Sequence, residues 1–352
     1  MEDYAPEDYG PTLAICDGAT NPWPEIKLAD NMKTTFFRLS FRRTVTAAAV
    51  SLFAFVQSCQ EVTGADSFKI HREANKIIVR NQAGTPILRY QLERPAGSAL
   101  TVESGCYFHP LTTPSGFVMT DEAPSDHLHH RGVFLAWVEM HGKKDADFWG
   151  WGEHAPKTGR KIVNQKISQM RAGKDRASFR AQNAWMADGT ILLKENLETK
   201  ITQSGSANIL DLRYRLETPS DIKLAQWAFS GFCVRTRKAG VVEAFGPDGI
   251  AKLPNPKHTE PSSDWPSAPW YAYTLKMPDG KTAGVAVLDH SSNPPSLWHN
   301  HRDIRMLNPC ITAPSAVTLK AGKPLVLRYR VVVADEAIEA EKLNRLRDEW
   351  SR

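Results

Sequence analysis

From Asp66 onward the chain is a succession of short segments in which apolar and polar residues alternate, separated by polar breaks, with almost no helical periodicity between them. The segments fall at 69–71, 76–80, 87–92, 99–102, 132–140, 161–170, 176–187, 191–201, 208–217, 222–236, 270–276, 283–288, 315–319 and 325–333. In the last of these the polar members Arg328 and Arg330 share one face. So many strands come without intervening amphipathic helices. They predict an all-β chain, a large antiparallel β-sandwich. The one helical pattern is 335–350, where Ile338, Leu343, Leu346 and Trp350 approximate a single face. No internal repeat or linker interrupts 66–334, which is therefore expected to be one β-sandwich domain, followed by a C-terminal helix over 335–352.

At 352 residues, 41% of them hydrophobic, the chain can bury a large core. Its formal net charge of +5 is mild and comes without a Lys/Arg block, so no nucleic-acid partner is expected. Residues 1–31 hold seven acids against one base, Lys27, and read as a non-native or disordered extension. Residues 32–65 then read as a signal peptide: Met32, a basic stretch with Lys33, Arg38, Arg42 and Arg43, an apolar run over 44–56, and the small-x-small site Thr63-Gly64-Ala65. That run is too short to span a bilayer, although Cys59 behind it could carry a lipid anchor. A periplasmic or secreted location follows. Cleavage at Ala65 leaves Cys106, Cys233 and Cys310, too few and too widely spaced for a zinc motif.

The densest chemistry is Asp126-His127-Leu128-His129-His130-Arg131-Gly132. If this stretch is extended, His127, His129, Arg131, Trp137, Glu139 and His141 share one face, and Asp126, Leu128, His130, Phe134 and Val138 the other, apolar one. The first face would aim two imidazoles at a cavity. His127 and His129 are then the proton-transfer candidates, Asp126 and Glu139 their orienting carboxylates, and Arg131 a contact for an oxyanion or a substrate carboxylate. His-x-His also suits a divalent metal, with His290 or His301 as a distant third ligand. No cofactor is required otherwise.

Asp147-Phe148-Trp149-Gly150-Trp151 places glycine between large rings, which suits stacking against a sugar face, with Asp147 accepting from hydroxyls. The stretch from Asp289 to Arg302 follows an apolar strand and offers His290, Asn293, Trp298 and His301 as binding-loop candidates. His130 and Arg235 complete the expected substrate contacts, although Arg235 reads more simply as a surface residue at a strand end. The Pro-rich segment 247–269 is long enough to be an ordered loop over a site. The sequence has no phosphate loop, dinucleotide fingerprint, HExxH or Gly-x-Ser-x-Gly elbow, so nucleotide-driven chemistry and the common serine hydrolase design are poor fits.

His109-Pro110-Leu111, Thr120-Asp121, Asp126 through Gly132, Asp147-Phe148-Trp149-Gly150, Leu288-Asp289-His290, Asn308-Pro309-Cys310 and Tyr329-Arg330-Val331 together resemble a bacterial PmoA-like family, often labelled "methane oxygenase PmoA". The resemblance spans most of 70–334 and implies exported proteins of polysaccharide-degrading bacteria with no settled activity. The all-β pattern is also similar to the galactose mutarotase-like supersandwich, which implies histidine and carboxylate side chains moving protons on a bound sugar. The expectation is therefore an exported carbohydrate-active enzyme of epimerase, lyase or hydrolase type. The alternatives are a metal-dependent enzyme with a His-x-His site and a non-catalytic glycan-binding protein.

Overall fold

The computed structural model describes residues 67–351, so the signal segment, its cleavage site and Cys59 lie outside the described residues. Two antiparallel sheets dominate. The larger has nine strands, in the order Gly249–Ile250, Val241–Gly246, Trp270–Lys276, Thr282–Asp289, Leu325–Ala334, Ala207–Glu217, Thr190–Ser204, Arg176–Ala187 and Arg160–Ala172. The other has seven: Lys69–Arg72, Lys76–Arg80, Pro86–Gln91, Tyr107–Leu111, Val133–Ala136, Gly231–Arg235 and Met306–Leu307. A three-stranded sheet of Met140–His141, Ile222–Leu224 and Val317–Leu319 and a pair, Leu297–Trp298 with Pro309–Cys310, complete the strands. The fold is all-β and antiparallel, as the alternation predicts.

Alternation also explains how the sheets pack. Along Thr190–Ser204 the side chains of Leu193, Leu197 and Ile201 are buried while Lys194 points outward. Their partners on Ala207–Glu217 alternate in step, and inner residues of both large sheets merge into one apolar cluster with Tyr90, Phe108, Phe134, Trp185, Phe232 and Tyr329. A smaller cluster seats the helix Ala340–Trp350 on the nine-stranded sheet: Leu343 and Ile338 pack with Trp270, Leu288 and Val332. Gly284 permits that approach, because a β-carbon there would stand 2.6 Å from Ile338 Cγ1.

Several expected elements differ in extent. The run 132–140 is the strand Val133–Ala136, a break, and then Met140–His141; the run 222–236 is Ile222–Leu224 and Gly231–Arg235. Gly231, at φ +77°, marks the second break. Residues 99–102 form no strand, and Tyr107–Leu111 and Val241–Gly246 are strands that the pattern does not reveal. Pro110 argues against a strand in sequence, since proline gives no ladder donor. The helix begins five residues later than its periodicity suggests. Among the described residues no helix is long and apolar enough to cross a membrane.

Candidate functional site

The segment 124–130 is not extended. His127 N–H donates to Pro124 O (2.9 Å) and His130 N–H to His127 O (2.9 Å), two successive tight turns, so the expected alternation of faces does not exist. Pro, Ser and Asp at 124–126 are turn formers, a signal that the histidine count overshadows. Turning gathers all three rings: His127 stacks on His130 at 4.7 Å between centroids, and His129 meets His130 edge-on at 4.7 Å and His127 at 5.6 Å. The three rings, with Trp149, Trp151, Phe229, His258, Ile304 and Met306, line a narrow cavity of about 50 Å³. Gly150, at φ +108°, fits tightly behind it; a β-carbon there would stand 2.3 Å from Val102 Cγ1 and 2.8 Å from His129 Cβ.

A fourth imidazole comes from the Pro-rich segment. Trp265 and Trp298 exchange backbone hydrogen bonds at 2.9 Å, which sets Asp264 beside His299. The contacts then run as a chain: His299 Nδ1 lies 2.6 Å from Asp264 Oδ1, and His299 Nε2 lies 3.0 Å from Nδ1 of the cavity-lining His258. The side chains of Asp264 and His299 are wholly enclosed. His301 stacks parallel to His258 at 5.6 Å. His258 and Asp264 stand in no dense motif, which is why the sequence hides them, although the Pro-rich loop pointed toward their place; His299 lies inside the 289–302 stretch, where its neighbours Trp298 and His301 were the expected contacts.

Other expected site residues have different employment. Arg131 is buried and donates to backbone oxygens of His129 (3.1 Å), Trp149 (3.3 Å) and Phe148 (3.0 Å), so it fastens the site and meets no oxyanion. Asp147 is buried and accepts from the N–H groups of Gly150 (2.7 Å) and Gly152 (2.5 Å), capping a turn where sugar hydroxyls were expected. Glu139 bonds His141 (2.6 Å) and the Trp227 indole (2.8 Å) and orients neither cavity histidine. Asn293 closes its own loop on Asp289 and Arg328, and Trp298 is buried with its N–H on Ala268 O. His290 lies against Trp350, in a different cleft, so the expected metal set His127, His129 and His290 is not assembled. Arg235 is fully buried, not at the surface. It grips both oxygens of Asp126 (2.6 and 2.8 Å) and lies 3.1 Å from His130 Nδ1. Asp126 keeps its place beside His127, 3.4 Å from Nδ1, and Trp149 and Trp151 do stand at the cavity. Among the described residues no three His, Cys, Asp or Glu side chains converge as a ready-made metal site.

Residues 78–348 match a family described only as of unknown function, DUF6807. The chain belongs to that family. Among curated proteins nothing matches this DUF6807 member. Similar solved structures include a GH36 α-galactosidase, AgaB, from Geobacillus stearothermophilus (11% identity, 77% of this chain and 40% of that one, TM-score 0.36). Others are a galactose mutarotase related enzyme from Lactobacillus acidophilus (7%, 77% and 99%, 0.33) and a GalM/aldose epimerase homologue from C. elegans (10%, 79% and 98%, 0.31). The chain spans about two fifths of that galactosidase, and likeness at this level bears on neither activity nor substrate.

Burial governs the protonation of this DUF6807 cavity. It pushes His129 down to about 3 and His301 to about 4, lowers His127 and His258, and takes His130 well below the usual imidazole range, with neighbouring imidazoles and Arg235 adding repulsion at His127, His129 and His130. The cavity imidazoles are therefore neutral near pH 7. By contrast, hydrogen bonding to Glu139 and Asp145 raises His141. Ring resonances of His129 and His301 are expected to hold their neutral positions down to about pH 5 and those of His130 to below the usual imidazole range, while His141 titrates above that range. A histidine-selective NMR titration checks this, and titration of His129 near 6.5 would show the cavity to be wet and open.

Proposed function

We propose that the protein is an exported carbohydrate-active enzyme in which histidines move protons on a group of a sugar inserted into the imidazole cavity. The observation that carries this reading is the chain Asp264–His299–His258, ending at a cavity whose other wall is His127, His129 and His130. Burial pushes Asp264 up to about 8 and His299 down to about 3, so this pair holds one shared proton near neutral pH. Wherever that proton sits, His299 Nε2–H donates to His258 Nδ1, and His258 presents Nε2–H to the cavity. Loss of the shared proton reverses the chain: His299 Nε2 accepts from His258 Nδ1–H, and His258 Nε2 becomes a bare base. One site can thus serve as acid and then as base, as epimerisation, elimination and hydrolysis all need.

His129 and His127 face His258 as complementary proton partners, while Asp264 and His299 act as positioning residues. Trp151, half-buried at the cavity, supplies a ring face that favours a sugar, while the buried Trp149 and Phe229 shape the cavity wall. The cavity is much smaller than a whole-sugar pocket, so a substrate reaches it with one hydroxyl or one C–H while its ring lies outside. The PmoA-like resemblance, with its exported proteins of polysaccharide degraders, supports an extracellular glycan.

The test is a turnover screen on neutral and acidic oligosaccharides. On an identified substrate, His258→Ala and His129→Ala are expected to lose about 10²- to 10³-fold in kcat while binding persists. Asp264→Asn, which cannot lose the shared proton, is expected to move one limb of the pH–rate profile. Full turnover in both histidine variants would end this reading. A metal-dependent version is favoured by one observation, that several imidazoles surround a space nearer to a hydrated ion than to a sugar ring. Stoichiometric metal in the purified protein, with activity lost to chelator, would favour that version.

A further inference from the structure

The outer face of the nine-stranded sheet carries a cleft of about 780 Å³ that shares no lining residue with the imidazole cavity. Antiparallel register sets Arg180, Glu198, Arg213 and Arg328 in one row across four strands, with Ser178, Lys200, Asp211 and Arg330 in the next. Both carboxylates are already shared. Glu198 is bridged by Arg180 (3.1 Å) and Arg213 (3.3 Å), and Asp211 by Lys200 (2.8 Å) and Arg330 (2.5 Å). Arg171, Arg176 and Arg328 also line the cleft, and among the described residues none has a carboxylate partner within 4.0 Å. Arg328 Nε is buried without a hydrogen-bond partner.

Folding does not account for this arrangement. Arg213 and Arg328 stand directly opposite each other, a like-charge pair that weakens a sheet. The lining holds six cations against two carboxylates, an excess of four positive charges in a concave surface. Guanidinium groups bind carboxylate and sulfate in paired fashion; Arg213 and Arg328 stand on neighbouring strands, about 4.8 Å apart, and Arg180 lies two strands from Arg213 beyond Glu198, a ladder for anions borne on a chain. At the rim the Trp350 indole lies under the Arg330 guanidinium (5.0 Å) and against His290 (4.8 Å), an apolar ledge of the kind a sugar ring covers.

We propose that this cleft binds an anionic oligosaccharide, with its carboxylate or sulfate groups laid along the row Arg180, Arg213, Arg328. The proposal rests on the sugar part of the functional reading for its ligand class and is independent of the imidazole chemistry. Concavity disfavours a flat membrane surface, and the ledge favours a sugar over a bare polyanion.

Calorimetric titration of the full chain with an oligouronate, a sulfated oligosaccharide, a neutral oligosaccharide of equal length and a single-stranded oligonucleotide tests it. At least one anionic saccharide is expected to bind, with the neutral one weaker by about tenfold or more. The double variant Arg213→Gln, Arg328→Gln is expected to lose a similar factor while its melting temperature holds or rises, since a repulsive pair is removed. His129→Ala is expected to bind as the parent does, so failure of the imidazole reading leaves this result standing. Absence of anionic saccharide binding, oligonucleotide binding of equal strength, or unchanged affinity in the double variant would each overturn the proposal.

Discussion

Asn in place of Asp126 is expected to destabilise the protein by about 1–3 kcal/mol, because it strands the enclosed Arg235 guanidinium even though Asp126 is itself exposed. Arg235 has no exposed surface; Asp126 is its carboxylate partner, and His130 lies beside its guanidinium. Both of its hydrogen bonds to Asp126 are short, and Lys238 adds a third cation contact at 3.0 Å. Asn can accept from one nitrogen but cannot offset the charge. The same pair predicts a pH dependence. Burial alone would raise the Asp126 carboxyl, but bonds from Arg235 and Lys238 outweigh it and hold the group well below the usual carboxylate range. Its folded value is therefore lower than its unfolded one, near 3.9, so its stabilisation is complete above about pH 4 and fades as pH falls further. Urea unfolding at pH 7 should show the loss in Asp126→Asn, and the variant should lack the part of the acid limb that this carboxylate supplies. Adding Arg235→Met should restore much of the stability, because a buried cation is then no longer stranded. A single variant within 1 kcal/mol of the parent would mean that water reaches Arg235.

The architecture was legible because a half-buried antiparallel strand prints its environment on the sequence with period two. The outward Lys194, Asn196, Glu198 and Lys200 alternate with Glu195, Leu197, Thr199 and Ile201, and no helix could bury that pattern on one side. What period two cannot carry is the identity of the neighbouring strand. Gly231–Arg235 lies beside Val133–Ala136 although a hundred residues of chain separate them, and that pairing puts Arg235 over the histidine turn. A strand-end arginine read alone looks solvated.

The candidate site was half legible for a related reason. Composition located the density at 126–131, because three imidazoles, a carboxylate and a guanidinium rarely crowd together. The residues that complete the cavity, His258 and its backing pair His299 and Asp264, come from segments far along the chain that meet beside the Trp265–Trp298 bridge. Conversely, Asp147 looked like a ligand contact because side-chain type says nothing of which donors surround it. Two glycine N–H groups claim both its oxygens, and burial pushes its carboxyl up to about 6.

Arg131 shows most sharply the difference between a residue that acts and one that holds. Its guanidinium spans three carbonyl oxygens, on His129, Phe148 and Trp149, and lies 4.4 Å from the centre of the Phe134 ring. Those oxygens belong to two of the segments that make the cavity, the histidine turn and the aromatic turn, and losing the guanidinium leaves all three without this donor. Burial lowers Arg131 to about 10, so it stays charged at neutral pH, and its fork of donors reaches positions that a single ammonium cannot. Arg131→Met is expected to cost about 3–5 kcal/mol, since it strands several buried acceptors at once. Arg131→Lys should recover only a minor part. Denaturant midpoints measure the cost, and near-ultraviolet dichroism should show the packing signal of Trp149 lost with it, ahead of global unfolding, because the turn carrying that indole is tied down by this guanidinium. If Arg131→Met instead kept its stability and lost only turnover, the guanidinium would have to be moved from the scaffold to the chemistry.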